Sequence, residues 1–187
     1  MNAHETRAAN GAHTTNGMPH GSTSLTPFLA VPRAREAIDF YRDVFGARVV
    51  DVTEMPAPAR EADASLPSSE PAGPPPRVVA HAELDFGAGR LQLGEPMPDY
   101  HLVPAPEGDD DCYSLGIFVP DVDATVERAE AAGATVREEP SDFVSGDRFA
   151  SIRDPFGVRW SVMTRVEDLS EEESARRVRE WARGFQG

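Results

Sequence analysis

The side chains best placed for chemistry lie on one predicted strand, where His81 alternates with Glu83 and Asp85. Because successive side chains of a strand point to opposite faces of a sheet, these three share one face. A histidine or a carboxylate in a cavity can act as a general base. His81 and Glu83 are therefore the candidate catalytic residues. The alternatives for His81 are a single ligand in the cavity or a hydrogen-bonded strand histidine without a chemical role.

Two arginines occupy matching places near predicted turns. Arg90 and Arg159 precede Gln92 and Ser161, respectively, by two residues. Strand alternation then points each arginine to the same face as the polar residue that follows it. Two guanidinium groups that converge on a cavity can hold a carboxylate or a phosphate in two-point contact. Solvated strand ends are the alternative, and for Arg148 a ligand contact and a structural ion pair are both open.

The composition excludes several classes of protein. The net charge of −14 over 187 residues would repel phosphates, which argues against nucleic acid and anionic membranes as partners. All 18 basic residues are arginine, so neither a Schiff-base lysine nor a phosphate-loop lysine exists. The single cysteine, Cys112, excludes a disulfide framework and a cysteine-rich metal site. No apolar run reaches the length of a membrane span.

Two blocks of the chain repeat one pattern of a strand, an amphipathic helix and three further strands. In the first helix, apolar residues recur at spacings of three, four and seven, which predicts a buried stripe. The two terminal hairpins align without a gap, matching Asp85 with Asp154 and Arg90 with Arg159. One unit alone would leave a sheet face half covered, so the two are expected to pack as one domain.

Two stretches lack any such pattern. Residues 1–23 are polar and contain three histidines, which predicts a disordered tail or, less simply, a metal-binding arm. Residues 56–77 contain seven prolines, and proline blocks both helices and central strands. We predict a surface loop or disordered insertion there, with a functional lid as the alternative.

The predicted fold class is α+β, with two tandem βαβββ units forming one cupped mixed-sheet domain followed by a C-terminal helix. Ser170 and Glu173 form a capping box at the start of that helix. Its apolar stripe predicts packing on the domain surface or a dimer contact. The predicted boundaries are a tail 1–23, a domain 24–166 with unit one 24–96 (insertion 56–77) and unit two 112–166, and a C-terminal helix 167–187.

Three stretches carry a family resemblance: residues 26–41, residues 119–134, and the motifs Gly-Asp-Arg at 146–148 and Asp-Pro-Phe-Gly-Val-Arg-Trp-Ser at 154–161. Two paired units with this late turn resemble the vicinal oxygen chelate superfamily. That group includes glyoxalase I, fosfomycin and bleomycin resistance proteins and extradiol dioxygenases. The third stretch is most similar to a glyoxalase-like subgroup that resembles the phosphonate-operon protein.

The resemblance implies four ligand positions for a divalent metal, one on each of four strands. In this sequence they are Thr26, Gln92, Ser114 and Ser161. None of the four is ionised at neutral pH, and neutral hydroxyls are poor ligands for zinc, nickel or iron. We therefore expect no metal and no other cofactor.

The resulting expectation is a metal-independent small-molecule binding protein of the glyoxalase and bleomycin-resistance type, with a small anionic or aromatic ligand. A metal-dependent or metal-free lyase, isomerase or dioxygenase of the same superfamily is the alternative. No secretory signal is evident, so a cytoplasmic protein is expected. The resemblance also implies a homodimer. The predicted ligand contacts are Thr26, Phe28, Arg90, Gln92, Ser114, Phe118, Arg148, Arg159 and Ser161.

Overall fold

The computed structural model describes residues 8–57 and 76–185. Within those ranges the strands are β1 (Thr14–Thr15), β2 (Met18–Pro19), β3 (Phe28–Ala30), β4 (Arg48–Pro56), β5 (Arg77–Asp85), β6 (Arg90–Gly94), β7 (Ser114–Phe118), β8 (Thr135–Phe143), β9 (Asp147–Arg153) and β10 (Arg159–Arg165). The helices are α1 (Ala34–Phe45), α2 (Val122–Ala131) and α3 (Glu171–Arg183). A membrane-crossing helix, both long and apolar, is not found among the described residues.

The two four-stranded sheets have the same topology. Their strand orders are β3-β6-β5-β4 and β7-β10-β9-β8. In the first sheet β3 pairs parallel with β6, and in the second β7 pairs parallel with β10. The remaining pairs are antiparallel. The predicted α+β fold of two βαβββ units with a C-terminal helix is confirmed.

Short-range chemistry sets the helix ends. Gly46 adopts the left-handed conformation, with φ of 73°, and ends α1. The Asp121 carboxylate accepts a hydrogen bond from the Ala124 N–H and begins α2. The Ser170 hydroxyl accepts from the Glu173 N–H at 3.2 Å and begins α3. The start of α3 at Ser170 agrees with the predicted capping box, and Gly46 and Asp121 are residue types that favour the helix ends they form.

The start of α1 uses a residue from a distant strand end. The Glu95 carboxylate accepts from the backbone N–H groups of Arg33 at 3.2 Å and Ala34 at 2.8 Å. A negative charge there also favours the positive end of the helix dipole. From the sequence pattern alone, Pro32 would begin this helix, whereas in the structure it begins at Ala34. The cap by Glu95 cannot be predicted locally, because Glu95 lies 61 residues after Ala34.

The two units share one core, in which aromatic side chains of α1 contact β10 and the turn before it. The ring of Phe45 lies 4.7 Å from that of Trp160 between centroids. Asp154, buried in the turn before β10, accepts from the Tyr41 hydroxyl at 2.8 Å and from Trp160 Nε1 at 2.9 Å. Burial raises the pKa of Asp154, while these hydrogen bonds oppose the shift. Tyr41 therefore connects unit one directly to the turn of unit two.

The hairpin alignment expected from the sequence is wrong by one residue on its first strand. Asp85 pairs with Arg90 across the first hairpin, and Arg153 pairs with Arg159 across the second. Asp85 is therefore equivalent to Arg153 and not to Asp154. The reason is the turn length, since the second turn contains one more residue than the first.

Part of the predicted disordered tail forms a hairpin. Strands β1 and β2 pair around Asn16 and Gly17, whose φ angles are 50° and 79°. Asn-Gly is the dipeptide that favours this tight turn, because both positions need positive φ. Residues 1–7 of the predicted tail lie outside the described residues.

The predicted proline-rich insertion joins β4 to β5. Pro56 and Arg77, its first and last residues, are paired strand ends, and the Ala57 N–H donates to the Pro76 carbonyl at 2.7 Å. Residues 58–75 lie outside the described part, so the loop and lid hypotheses both stay predictions.

Helix α3 lies on the surface of the second unit. None of its residues is buried, and Trp181 on it is 45% exposed. The Trp181 ring contacts Phe143 edge-on at 5.0 Å between centroids. The predicted apolar stripe is therefore only partly covered within the described chain.

Candidate ligand-binding site

The structure brings five of the predicted site residues together on the face of the first sheet opposite its buried side. Phe28 and Glu83 are each a strand partner of Gln92. The ring centroids of Phe28 and His81 are 6.2 Å apart. Arg90 donates a hydrogen bond to Glu83. This set holds one base, one acid, one amide, one guanidinium and one aromatic ring.

Both oxygens of Glu83 are engaged. Arg90 donates to Oε1, and the Gln92 amide donates to Oε2 at 3.4 Å. Arg90 is also within 3.7 Å of Asp85, whose pKa is lowered first by the Gly87 N–H and then by Arg48. The arrangement orients the Arg90 guanidinium and leaves Glu83 poorly placed to abstract a proton.

The corresponding face of the second sheet carries serines and arginines. The hydroxyl oxygens of Ser114 and Ser161 are 3.0 Å apart. Arg159 donates from Nε to the Ser151 hydroxyl at 3.0 Å and from NH2 to Glu138 at 2.9 Å. Phe118, at the other end of β7 from Ser114, is 61% exposed. Hydrogen bonds among the described residues do not join this cluster to the one on the first sheet.

Two predicted contacts point elsewhere. Arg148 pairs with Asp123 of α2 at 2.6 Å and with Asp142 at 3.1 Å, and these partners, Asp123 first, raise its pKa. Strand alternation puts Arg148 on the opposite sheet face from Ser151, so the structural ion pair is the interpretation that fits. The Thr26 hydroxyl lies 3.1 Å from that of Thr23, in the segment before β3.

A cleft of about 320 Å³ opens between the two units. This volume falls within the range of small-molecule sites. Arg90 is the one charged residue among the described residues that line the cleft, and three aromatic rings contribute to its walls. The lining residues are Pro27, Phe86, Ala88, Gly89, Arg90, Leu91, Leu115, Gly116, Ile117, Phe118 and Trp160.

The sequence pattern predicts only part of this cleft. Arg90 and Phe118 are among the predicted ligand contacts. Phe86 is not predicted, although its place directly after Asp85 at the turn is the signal that could have found it. Leu115 and Ile117 are not predicted either; their strand lies beside the turn of unit one, where both reach the cleft.

The residues at the four implied metal positions do not fit a divalent ion. Thr26, Gln92, Ser114 and Ser161 offer only neutral oxygens, and the two serine hydroxyls bond to each other. Among the described residues, no three His, Cys, Asp or Glu side chains converge in a way that could hold a metal. A stable metal centre needs stronger donors than these.

The fold and this two-unit cleft define a glyoxalase-type domain. Residues 13–162 match the family profile of the Glyoxalase/Bleomycin resistance protein/Dioxygenase superfamily, and the chain belongs to that family. It is 30% identical over 154 residues to protein Rv0887c of Mycobacterium tuberculosis, described as uncharacterized, which covers 80% of this chain and 79% of that protein.

Two crystal structures are also similar to this chain. TioX from Micromonospora sp. matches at 25% identity with a TM-score of 0.50, over 77% of this chain and 99% of that one. Protein PA1353 from Pseudomonas aeruginosa matches at 25% identity with a TM-score of 0.52, over 76% and 98% of the two chains. Both matches extend over nearly the whole of the other protein.

Proposed function

We propose that this chain binds a small aromatic molecule with one anionic group in the cleft between its two units, without a metal. The cleft itself carries the proposal, because its volume suits one such molecule. Phe86, Phe118 and Trp160 supply faces and edges against which a ring can stack. Arg90 supplies a charged donor at the same place.

Arg90 can serve a ligand while it remains paired with Glu83. A guanidinium has five N–H donors in a fixed plane, and the hydrogen bond to Glu83 uses the NH1 group. The pair holds the arginine at 13% side-chain exposure, where a hydrogen bond to an anion is stronger than in water. Because both oxygens of Glu83 are engaged, the site favours binding over proton transfer.

The tryptophan at the cleft provides a direct test of binding. The chain has two tryptophans, so a Trp181→Phe background leaves Trp160 as the reporter. We expect 1-naphthoate and benzoate to change Trp160 fluorescence saturably. Arg90→Gln should weaken that binding about tenfold, which corresponds to roughly 1.4 kcal/mol for one lost charged hydrogen bond.

Two controls separate this effect from general charge. Arg176→Gln, on the exposed surface of α3, should leave naphthoate binding unchanged. The neutral amide 1-naphthamide should bind the wild-type chain and the Arg90→Gln variant equally. No saturable change with either acid, or an equal loss of affinity in both arginine variants, would contradict the proposal.

Metal content tests the metal-free part separately. The full chain, purified without a histidine tag and with His4, His13 and His20 replaced by alanine, should contain far less than one metal ion per chain by elemental analysis. The replacements remove histidines that could pick up nickel adventitiously. Stoichiometric zinc, nickel, manganese or iron that disappears in a further His81→Ala variant would show that the metal-free proposal is wrong.

A further inference from the structure

We propose that Arg137, Arg153 and Arg159 form a second binding site, specific for a dianionic oxyanion such as a phosphoryl group. In this conformation residues 106–111, here called the acidic strap, occupy it. The site lies on the second sheet, and its three arginines are absent from the cleft lining. Arg153 and Arg159 are direct partners across β9 and β10, and Arg137 lies at the irregularity in β8 beside them.

The strap is held by the arginines through backbone and side-chain oxygens. Arg153 donates to the carbonyls of Gly108 and, at 3.2 Å, Pro106. Arg137 donates to the Asp109 carbonyl at 3.2 Å and to its carboxylate at 3.3 Å. These contacts place the Asp111 carboxylate between the guanidinium groups of Arg153 and Arg159.

Asp111 occupies that space as an incomplete substitute for a ligand. Its side chain is only 9% exposed, with Oδ1 3.4 Å from Arg153 Nε and Oδ2 3.8 Å from Arg159 NH1. Within the described residues, Asp111 Oδ1, Arg137 Nε and Arg153 Nε are buried and lack a hydrogen-bond partner. Buried polar groups normally find partners, and unmade hydrogen bonds of this kind carry a cost. A tetrahedral oxyanion offers several acceptor oxygens in different directions and could satisfy donors that one flat carboxylate misses.

The charge of the site indicates a dianion. With the strap displaced, three guanidinium groups would remain against one carboxylate, that of Glu138, which pairs with Arg159. The net charge of the emptied site would then be about two positive charges. Two of the four carboxylates in the strap, those of Asp109 and Asp111, pair with these arginines, so a dianion replaces the paired charge. Phosphate and phosphate monoesters carry close to two negative charges above neutral pH.

Calorimetric titration with inorganic phosphate at pH 8 tests the site, with sodium chloride at equal ionic strength as the control. We expect the Asp109→Asn/Asp111→Asn double variant to bind phosphate at least tenfold more tightly than the wild-type chain, because the competing carboxylates are gone. In the wild-type chain, saturating phosphate should move the backbone amide NMR resonances of residues 107–111 toward the positions of an unstructured chain.

Phenyl phosphate, compared with inorganic phosphate, shows which ligand the site prefers. Tighter binding of phenyl phosphate indicates the phosphoryl group of a larger molecule, and tighter binding of inorganic phosphate indicates the free ion. Arg153→Gln in the double-variant background should abolish binding. Arg153→Lys keeps the positive charge but loses the planar guanidinium that can donate two parallel hydrogen bonds, and should weaken phosphate binding at least fivefold. This variant replaces Arg153→Gln in the test if the glutamine variant does not fold. No phosphate binding by the double variant, or unchanged amide resonances of the strap in the phosphate-saturated wild-type chain, would overturn the proposal. The naphthoate titration of the cleft is independent of either result.

Discussion

Replacing Asp154 with alanine should lower the free energy of unfolding by about 4 kcal/mol or more. Asp154 is 4% exposed, and its carboxylate accepts four hydrogen bonds. Two come from the backbone N–H groups of Phe156 and Val158, both at 2.9 Å, and two from Tyr41 and Trp160. Each buried donor left without an acceptor costs about 1–3 kcal/mol. Urea unfolding followed by circular dichroism measures the loss.

A graded series separates the hydrogen bonds from the cavity. Tyr41→Phe removes one donor and its need for an acceptor, so about 1 kcal/mol is expected. Asp154→Asn keeps one acceptor oxygen but places an amide NH2 against two donors. Its loss of unfolding free energy should lie between those of Tyr41→Phe and Asp154→Ala. Asp110→Asn, in the exposed loop, should change little. A loss below 1 kcal/mol for Asp154→Ala would show that water replaces the carboxylate.

This aspartate also illustrates why the sequence predicts the elements better than their contacts. The Asp-Pro-Phe-Gly turn is visible in the sequence, and its position before β10 is correct. That its carboxylate would accept from Tyr41, 113 residues earlier, depends on how α1 packs against the second unit. Helix stripes, Gly46 and the Asp121 cap are predictable because they depend on neighbours within a turn or two.

The candidate site shows the same limit. His81 and Glu83 share a face, and so do Arg90 and Gln92, as predicted, because the period of a strand fixes which side chains face the same way. The pairing of β5 with β6 brings the two sets together. The cleft forms where the turn of unit one lies beside β7 of unit two, and no local sequence pattern predicts that contact. Likewise, Asp111 lies in a run of three aspartates in which no local pattern predicts burial, whereas in the structure it is buried against Arg153 and Arg159.

Replacing Gly94 with alanine should lower the free energy of unfolding by about 3 kcal/mol. Gly94 ends β6 beside Ala30 of β3. A Cβ at Gly94 would lie 2.6 Å from the Ala80 carbonyl oxygen and 3.3 Å from Phe28 Cζ. The carbonyl belongs to a central strand and cannot rotate away, so the strands must separate. Thermal or urea unfolding of the purified variant measures the change.

Gly89→Ala is the matched control, because it adds the same methyl group in the turn that precedes the same strand. A Cβ there meets nothing within 4 Å, and its φ lies outside the left-handed range. We therefore expect a change within about 0.5 kcal/mol. The Gly94→Ala variant should also shift Phe28 and so alter the face that holds His81. Equal stability of the two variants would mean that β5 yields at Ala80, where its pairing with β4 is already irregular, and that the first sheet is softer than its hydrogen bonding indicates.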